Sequence, residues 1–183
     1  MTSTVPREEI LTWAPAEGRR LRVHNRLLTI MAVVMLVLGI GSVLGGAGGA
    51  IYTYNQAVAQ NVTTPDDAVI TEAPVRGPFT MWAQADIINT HQLESTEGLY
   101  YAEMPRQIPQ LDEAGNPVLD ETGAQVMVSN PARATWITAT ALISALNLGI
   151  LAYALATFAV VVGLAMIGSG VTFLALRTPQ AKV

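Results

Sequence analysis

The sequence predicts a membrane protein, mainly α, with two antiparallel transmembrane helices and a small extracellular α+β loop region. Three observations predict it. Charged residues are 13% of the 183-residue chain, against about a quarter in soluble domains. They are missing altogether from two long apolar runs, 27–54 and 134–176. Seven of the ten Lys and Arg lie outside the region that these runs enclose, at the two ends of the chain.

The first run has 28 residues. As a helix it reaches about 42 Å, against about 30 Å of hydrocarbon to be crossed. It is also longer than the roughly 7–15-residue apolar stretch of a signal peptide. An uncleaved anchor is therefore expected, although "AVA" at 57–59 could serve as a cleavage site. The second run has 43 residues, about 65 Å as one helix. It either projects beyond the bilayer or breaks near 147–149, where Asn147 could cap the break, and crosses twice. The enclosed region 55–133 holds three basic and eleven acidic residues, a net charge of −8. Basic residues stay on the cytoplasmic side. Both tails are then cytoplasmic, and an even number of spans is required: two are expected, with three as the alternative.

This gives a cytoplasmic tail 1–26, a transmembrane helix 27–54, an extracellular region 55–133, a long helix 134–176 whose outer part precedes its span, and a cytoplasmic tail 177–183, all at the plasma membrane. The first 18 residues, with Pro6 and Pro15, read as a loose tail. The collar "RRLRVHNR" at 19–26 reads either as a site for anionic lipid headgroups or as a topology signal and nothing more. Nothing in the chain points to nucleic acid.

In the outer region, "PFTMWAQADIINTHQL" reads as a short helix opened by Pro78, with Met81, Ala85 and Ile88 on one face and "TEG" at 96–98 as its end. "LYYAEMPRQIPQ" reads as extended. "LDEAGNPV" (111–118) and "LDETGAQV" (119–126) repeat each other at Leu, Asp, Glu, Gly and Val. Asp-Glu-x-Gly is turn chemistry, so two consecutive turns of a small β-meander are expected. The acids do not have the spacing of a calcium loop.

The glycine-rich "GIGSVLGGAGGA" at 39–50 forms two ridges on a helix: Gly41, Gly45, Gly49 and Ser42, Gly46, Ala50. Close packing of small residues drives helix association in lipid. Ala152, Ala156, Ala159 and Gly163 form a small-residue stripe at matching depth in the second run. The first ridge is expected to meet that stripe, leaving the second for a foreign helix. Trp136, Ile137, Leu142, Ile143, Leu146 and Leu148 lie in the outer extension and need cover.

Catalytic constellations are missing. The chain has no cysteine and two histidines, His24 and His91. A facial triad for iron needs two His and a carboxylate together, and in the two-span topology these two lie on opposite sides. The spans carry no ionisable group except tyrosine, which argues against a pump or channel formed by this chain alone. No cofactor and no catalytic residue are expected.

"APVRGPFTMWAQADII", "YYAEMPRQIPQLDEAGNPVLDETG" and "NPARATWITATALISALNLGILAYAL" resemble a family of two-span actinobacterial membrane proteins often named "aromatic ring-opening dioxygenase". The similarity covers about 55–176, with Met104-Pro105-Arg106-Gln107-Ile108-Pro109 as its most specific motif. The ligands that the enzyme name implies are not here. The resemblance instead implies an accessory subunit of a membrane complex, specifically the respiratory supercomplex of a cytochrome bc-type complex and a terminal oxidase. Its partners would be integral membrane proteins, with Met104, Pro105, Arg106 and Trp136 docking the outer region on them. Two other classes stay open: a metal enzyme built on His91 with Asp86, Glu94 and Glu97, and an envelope-facing scaffold or sensor.

Overall fold

The computed structural model describes residues 7–177, with no side-chain description for 7–19 and 21. Most of the predicted tail 177–183, with Lys182, and the side chains of Arg7 and Arg19 fall outside the described residues. The elements are α1 (Arg7–Gln60), α2 (Pro78–Ser95), β1 (Gln107–Pro109), β2 (Met127–Ser129) and α3 (Pro131–Ala175). The chain is thus mainly helical, with a two-stranded sheet. Two of its helical segments, Arg22–Gln60 and Pro131–Ala175, are long and apolar enough to cross a membrane.

The loose-tail reading needs correction. Helix α1 begins at Arg7, inside the stretch read as a loose tail. Glu, Leu and Arg there are good helix formers, and the helix continues through Pro15. Helix α3 is one unbroken helix of 45 residues, in line with the long helix expected over 134–176, and the alternative break near 147–149 does not occur. Asn147 sits exposed on a continuing helix.

The chain divides into two compact units, one formed by Met1–Ala50 with Leu155–Val183, the other by Ile51–Ala154. In the first, α1 and α3 pack antiparallel. The contacting positions descend on one helix as they climb on the other: Ala32 with Gly170, Gly39 with Gly163, Gly46 with Ala156.

The second unit is built around α2. Pro78 occupies its first turn, and the Thr80 hydroxyl oxygen accepts from the Arg76 and Gly77 amides at 3.1 and 3.2 Å. Its other end closes at Thr96, and Gly98 takes a φ of +83°. Met81, Ala85 and Ile87 are buried, and Met81 joins Ala57 and Val75 in a small core flanked by Leu146, Ile150 and Tyr153. The loop before α2 folds back on itself through a Thr63–Pro74 bridge. Inside it the Thr64 hydroxyl accepts from the Ala73 amide at 2.9 Å.

Strands β1 and β2 pair antiparallel, with Ile108 opposite Val128. Between them the repeat forms the two expected turns, closed by bridges Leu111–Pro117 and Leu119–Gln125. Asp112 and Asp120 each accept two backbone amides ahead of them, and Gly115 and Gly123 supply φ of +84° and +81°. The Asn116 amide foremost holds the Asp112 carboxyl below the usual carboxylate range, and the Thr122 hydroxyl, donating at 2.6 Å, does so for Asp120 ahead of the backbone amides. Gln110, Val118 and Val126 close a ring: the Val118 amide donates to the Gln110 carbonyl, Val126 to Val118 and Gln110 to Val126, at 2.8–2.9 Å. The segment before β1 is not extended throughout, because Tyr100 to Glu103 form a turn closed by the Glu103 amide on the Tyr100 carbonyl.

Candidate functional site

The small residues of the first unit form a seam with a seven-residue repeat. On α1 the buried positions are Asn25, Ala32, Gly39 and Gly46; on α3 they are Ala156, Gly163 and Gly170. At the centre the two backbones touch. A Cβ on Gly39 would lie 2.7 Å from the Gly163 carbonyl oxygen, and a Cβ on Gly163 would lie 2.7 Å from that of Gly39. Two turns further, a Cβ on Gly46 would lie 2.6 Å from the Ala156 carbonyl oxygen. At the other end a Cβ on Gly170 would meet Leu36 at 2.8 Å and the Ala32 carbonyl at 3.0 Å. The Ser42 hydroxyl donates to the Ala159 carbonyl at 2.7 Å, a polar tie inside the seam.

The roles of the two ridges are therefore exchanged. Ser42 and Gly46 face α3, joined by Gly39, which the ridge reading left out. Gly41, Gly45 and Gly49 do not pack on α3: nothing lies within 4 Å of a Cβ built on any of them. Ala50 is half-buried. The partner stripe holds at Ala156, Ala159 and Gly163, while Ala152 is a half-buried residue of the other unit. The reason is geometric. A four-residue step advances roughly 40° around a helix, so such a ridge drifts away from a neighbour. A seven-residue step drifts only about 20°, which slight supercoiling absorbs.

The outer docking candidates divide. Trp136 is 5% exposed; its indole N–H donates to the Leu99 carbonyl at 3.0 Å, and its ring lies 5.6 Å from that of Tyr100. Met104 is 6% exposed. Both are interior residues of this chain and offer no docking surface. Pro105 and Arg106 are exposed, and their carbonyls accept from the Asn130 side chain and amide at 3.0 Å. The residue that orders this corner is Arg133. Its guanidinium donates to the Tyr101 and Met104 carbonyls at 2.8 and 2.7 Å and lies 3.8 Å from the Tyr101 ring centroid. Its place just inside a helix N-terminus hid this role.

His91 does not gather Asp86, Glu94 and Glu97. Its Nε2 meets Asp67 at 2.6 Å, which raises the imidazole pKa and lowers that of the carboxyl. Among the described residues no group of three His, Asp or Glu could hold a metal ion.

Helix α2 lies along the N-terminal half of α3. Met81 Sδ sits 2.7 Å from where a Gly149 Cβ would be, and Gln92 donates to Thr135 at 3.1 Å. The Tyr153 hydroxyl donates to the Arg76 carbonyl at 2.6 Å. A cavity of about 480 Å³ opens between the end of α1, α2 and α3. No family model, no curated protein and no solved structure matches the chain.

Proposed function

We propose that this chain is a non-catalytic accessory subunit of a larger membrane complex. It crosses the plasma membrane twice, with both termini cytoplasmic and the acidic region 55–133 outside. One observation carries the reading: the α1–α3 seam is narrow, and most of the apolar surface of both helices faces outward. Leu44 and Phe158 are 67% and 66% exposed, and Val37, Leu38, Val161 and Leu164 are exposed beside them. Such surface is stable only in lipid or against other helices.

Three further features support it. The antiparallel pairing brings Arg22 and Arg26 to the same end of the unit as Arg177, as positive-inside logic requires. Outside the seam, Gly41, Gly45 and Gly48 have nothing within 4 Å of a built Cβ, so a foreign helix backbone can come close there. Phe79 and Trp82, 77% and 49% exposed on α2, suit a membrane interface.

The identity of the complex rests on the sequence resemblance, which points to the actinobacterial respiratory supercomplex. There the −8 outer region would orient a basic partner such as a cytochrome c domain. The test is affinity purification in mild detergent, with partner identification and a visible absorption spectrum. Stoichiometric large subunits with haem bands are expected. A free monomer with no stoichiometric partner would overturn the subunit reading.

A further inference from the structure

We infer that Arg22 and Arg26 of α1 and Arg177, just past the end of α3, together hold the phosphate headgroup of an anionic phospholipid whose chain lies along the adjoining flank of α1; this rests on the membrane reading above. The seam supplies the frame. Its contacts run Gly46 with Ala156, Gly39 with Gly163 and Ala32 with Gly170. Seven residues further along each helix stand Asn25 and Arg177. Asn25 is 7% exposed, so the packing still covers it at that level. Helix α3 ends at Ala175, and the Arg177 amide donates back to the Leu174 carbonyl at 3.4 Å, which keeps Arg177 against the last turn. At about 100° per residue, Arg22 and Arg26 lie roughly 60° and 100° round α1 from Asn25, on one flank of the seam, while Arg20 and His24 lie on the other. The single run of basic residues in the sequence is thus divided by the fold, and one half of it is joined by an arginine from the far end of the chain.

The charge at this end calls for an anion. Among the described residues of the two-helix unit there is no Asp or Glu. Over the whole chain, the seven Lys and Arg of the two ends face three acids there, Glu8, Glu9 and Glu17. Fixing the topology does not discharge these arginines; they still need a counter-charge once the helices are in place. Arginine suits phosphate, because its planar fork donates two parallel hydrogen bonds. The flank also separates a lipid from a soluble anion. Ile30, Val33 and Val37 continue the face of Arg22 and Arg26 at helical spacing, and all three are exposed. Cations that run straight into an apolar stripe match a molecule with a phosphate at one end and a hydrocarbon chain at the other.

The experiment titrates the full chain in mild detergent with phosphatidylglycerol or phosphatidylcholine of the same acyl chains and counts bound lipid by native mass spectrometry. Phosphatidylglycerol should bind in preference. Arg26→Gln and Arg177→Gln should each weaken it about fivefold, which is the roughly 1 kcal/mol of one basic residue at an anionic surface. Arg177→Lys keeps the charge, and with it the topology, and should keep most of the binding. Arg20→Gln, on the other flank, should change it least. Equal binding of the two lipids would overturn the proposal. So would binding indifferent to Arg177→Gln, or an Arg20→Gln loss as large as that of Arg26→Gln, because either makes the cations a diffuse collar rather than a site shared by two helices. Complete displacement of the lipid by inorganic phosphate would also overturn it, by assigning the arginines to a soluble anion. Carbonate washing of membranes tests the underlying reading separately: a chain released by the wash is not membrane-spanning, whatever the arginines bind.

Discussion

In the two-helix unit, small residues vanish into backbone contact; in the Ile51–Ala154 unit, the same kind of residue makes room for a side chain. Gly39 and Gly163 bring two carbonyls within 2.7 Å of each other's missing Cβ. Gly149 instead admits the Met81 sulfur, and around it Trp136, Tyr153 and Gln92 make directed hydrogen bonds. The seam of the first unit is close backbone packing, with the Ser42–Ala159 bond across it. The second is held by large side chains that reach across gaps. A glycine therefore has no fixed meaning in this chain; what approaches it decides its role.

The largest expected effect breaks the second unit alone. Trp136→Ala removes a buried indole and its bond to Leu99, at a cost of about 3–5 kcal/mol. Denaturation followed by tyrosine and tryptophan fluorescence should show it, while the α1–α3 proximity of the first unit stays unchanged. Gly39→Leu does the reverse. Its side chain would run into the Gly163 carbonyl and Ile167, costing about 1–3 kcal/mol by overpacking. Gly45→Leu is the matched control: nothing stands within 4 Å of its Cβ, so helix pairing should change by less than about 0.5 kcal/mol. If Gly45→Leu instead releases partner proteins from the purified complex, the outward ridge is a docking surface.

Smaller effects sharpen the contrast. Ser42→Ala loses one interhelical bond, worth about 0.6 kcal/mol and at most about 1.7 in comparable membrane helices. The His91–Asp67 pair is exposed and should matter least. The His91 pKa is raised, so its contribution is complete below pH 6.5 and fades as pH rises through the raised value. The Asp67 pKa is lowered, so its contribution is complete above pH 3.8 and fades as pH falls through the lowered value. The bond therefore spans the window between these two limits. Asp67→Asn should return the His91 titration, followed by NMR, toward the ordinary histidine value.

Much of this was legible from residue order. The apolar runs, the Pro78 helix and the twin Asp-Glu-x-Gly turns follow from local chemistry, and each has its expected place in the structure. The choice of ridge was not, because a four-residue glycine spacing is conspicuous while the seven-residue series Ala32, Gly39, Gly46 is diluted by Val and Leu between its members. Only the demand that contact persist along a straight neighbour separates the two. The burial of Trp136 and Met104 was equally hidden. A tryptophan outside an apolar run looks like a docking residue until the Leu99 carbonyl 37 positions away proves to be its partner. Arg133 carries no motif at all; its role exists only once the segment Tyr101–Met104 folds back on the start of α3.

The exchanged ridge assignment can be tested directly, since the chain has no native cysteine. Two double variants suffice, Ser42→Cys with Ala159→Cys and Gly45→Cys with Ala159→Cys, oxidised in native membranes and scored by a proteolytic cut between the helices. Ser42 Oγ lies 2.7 Å from the Ala159 carbonyl, so the first pair should form the intramolecular disulfide readily and the second should not. Efficient closure of the Gly45 pair with failure of the Ser42 pair would contradict the seven-residue seam and restore the four-residue ridge.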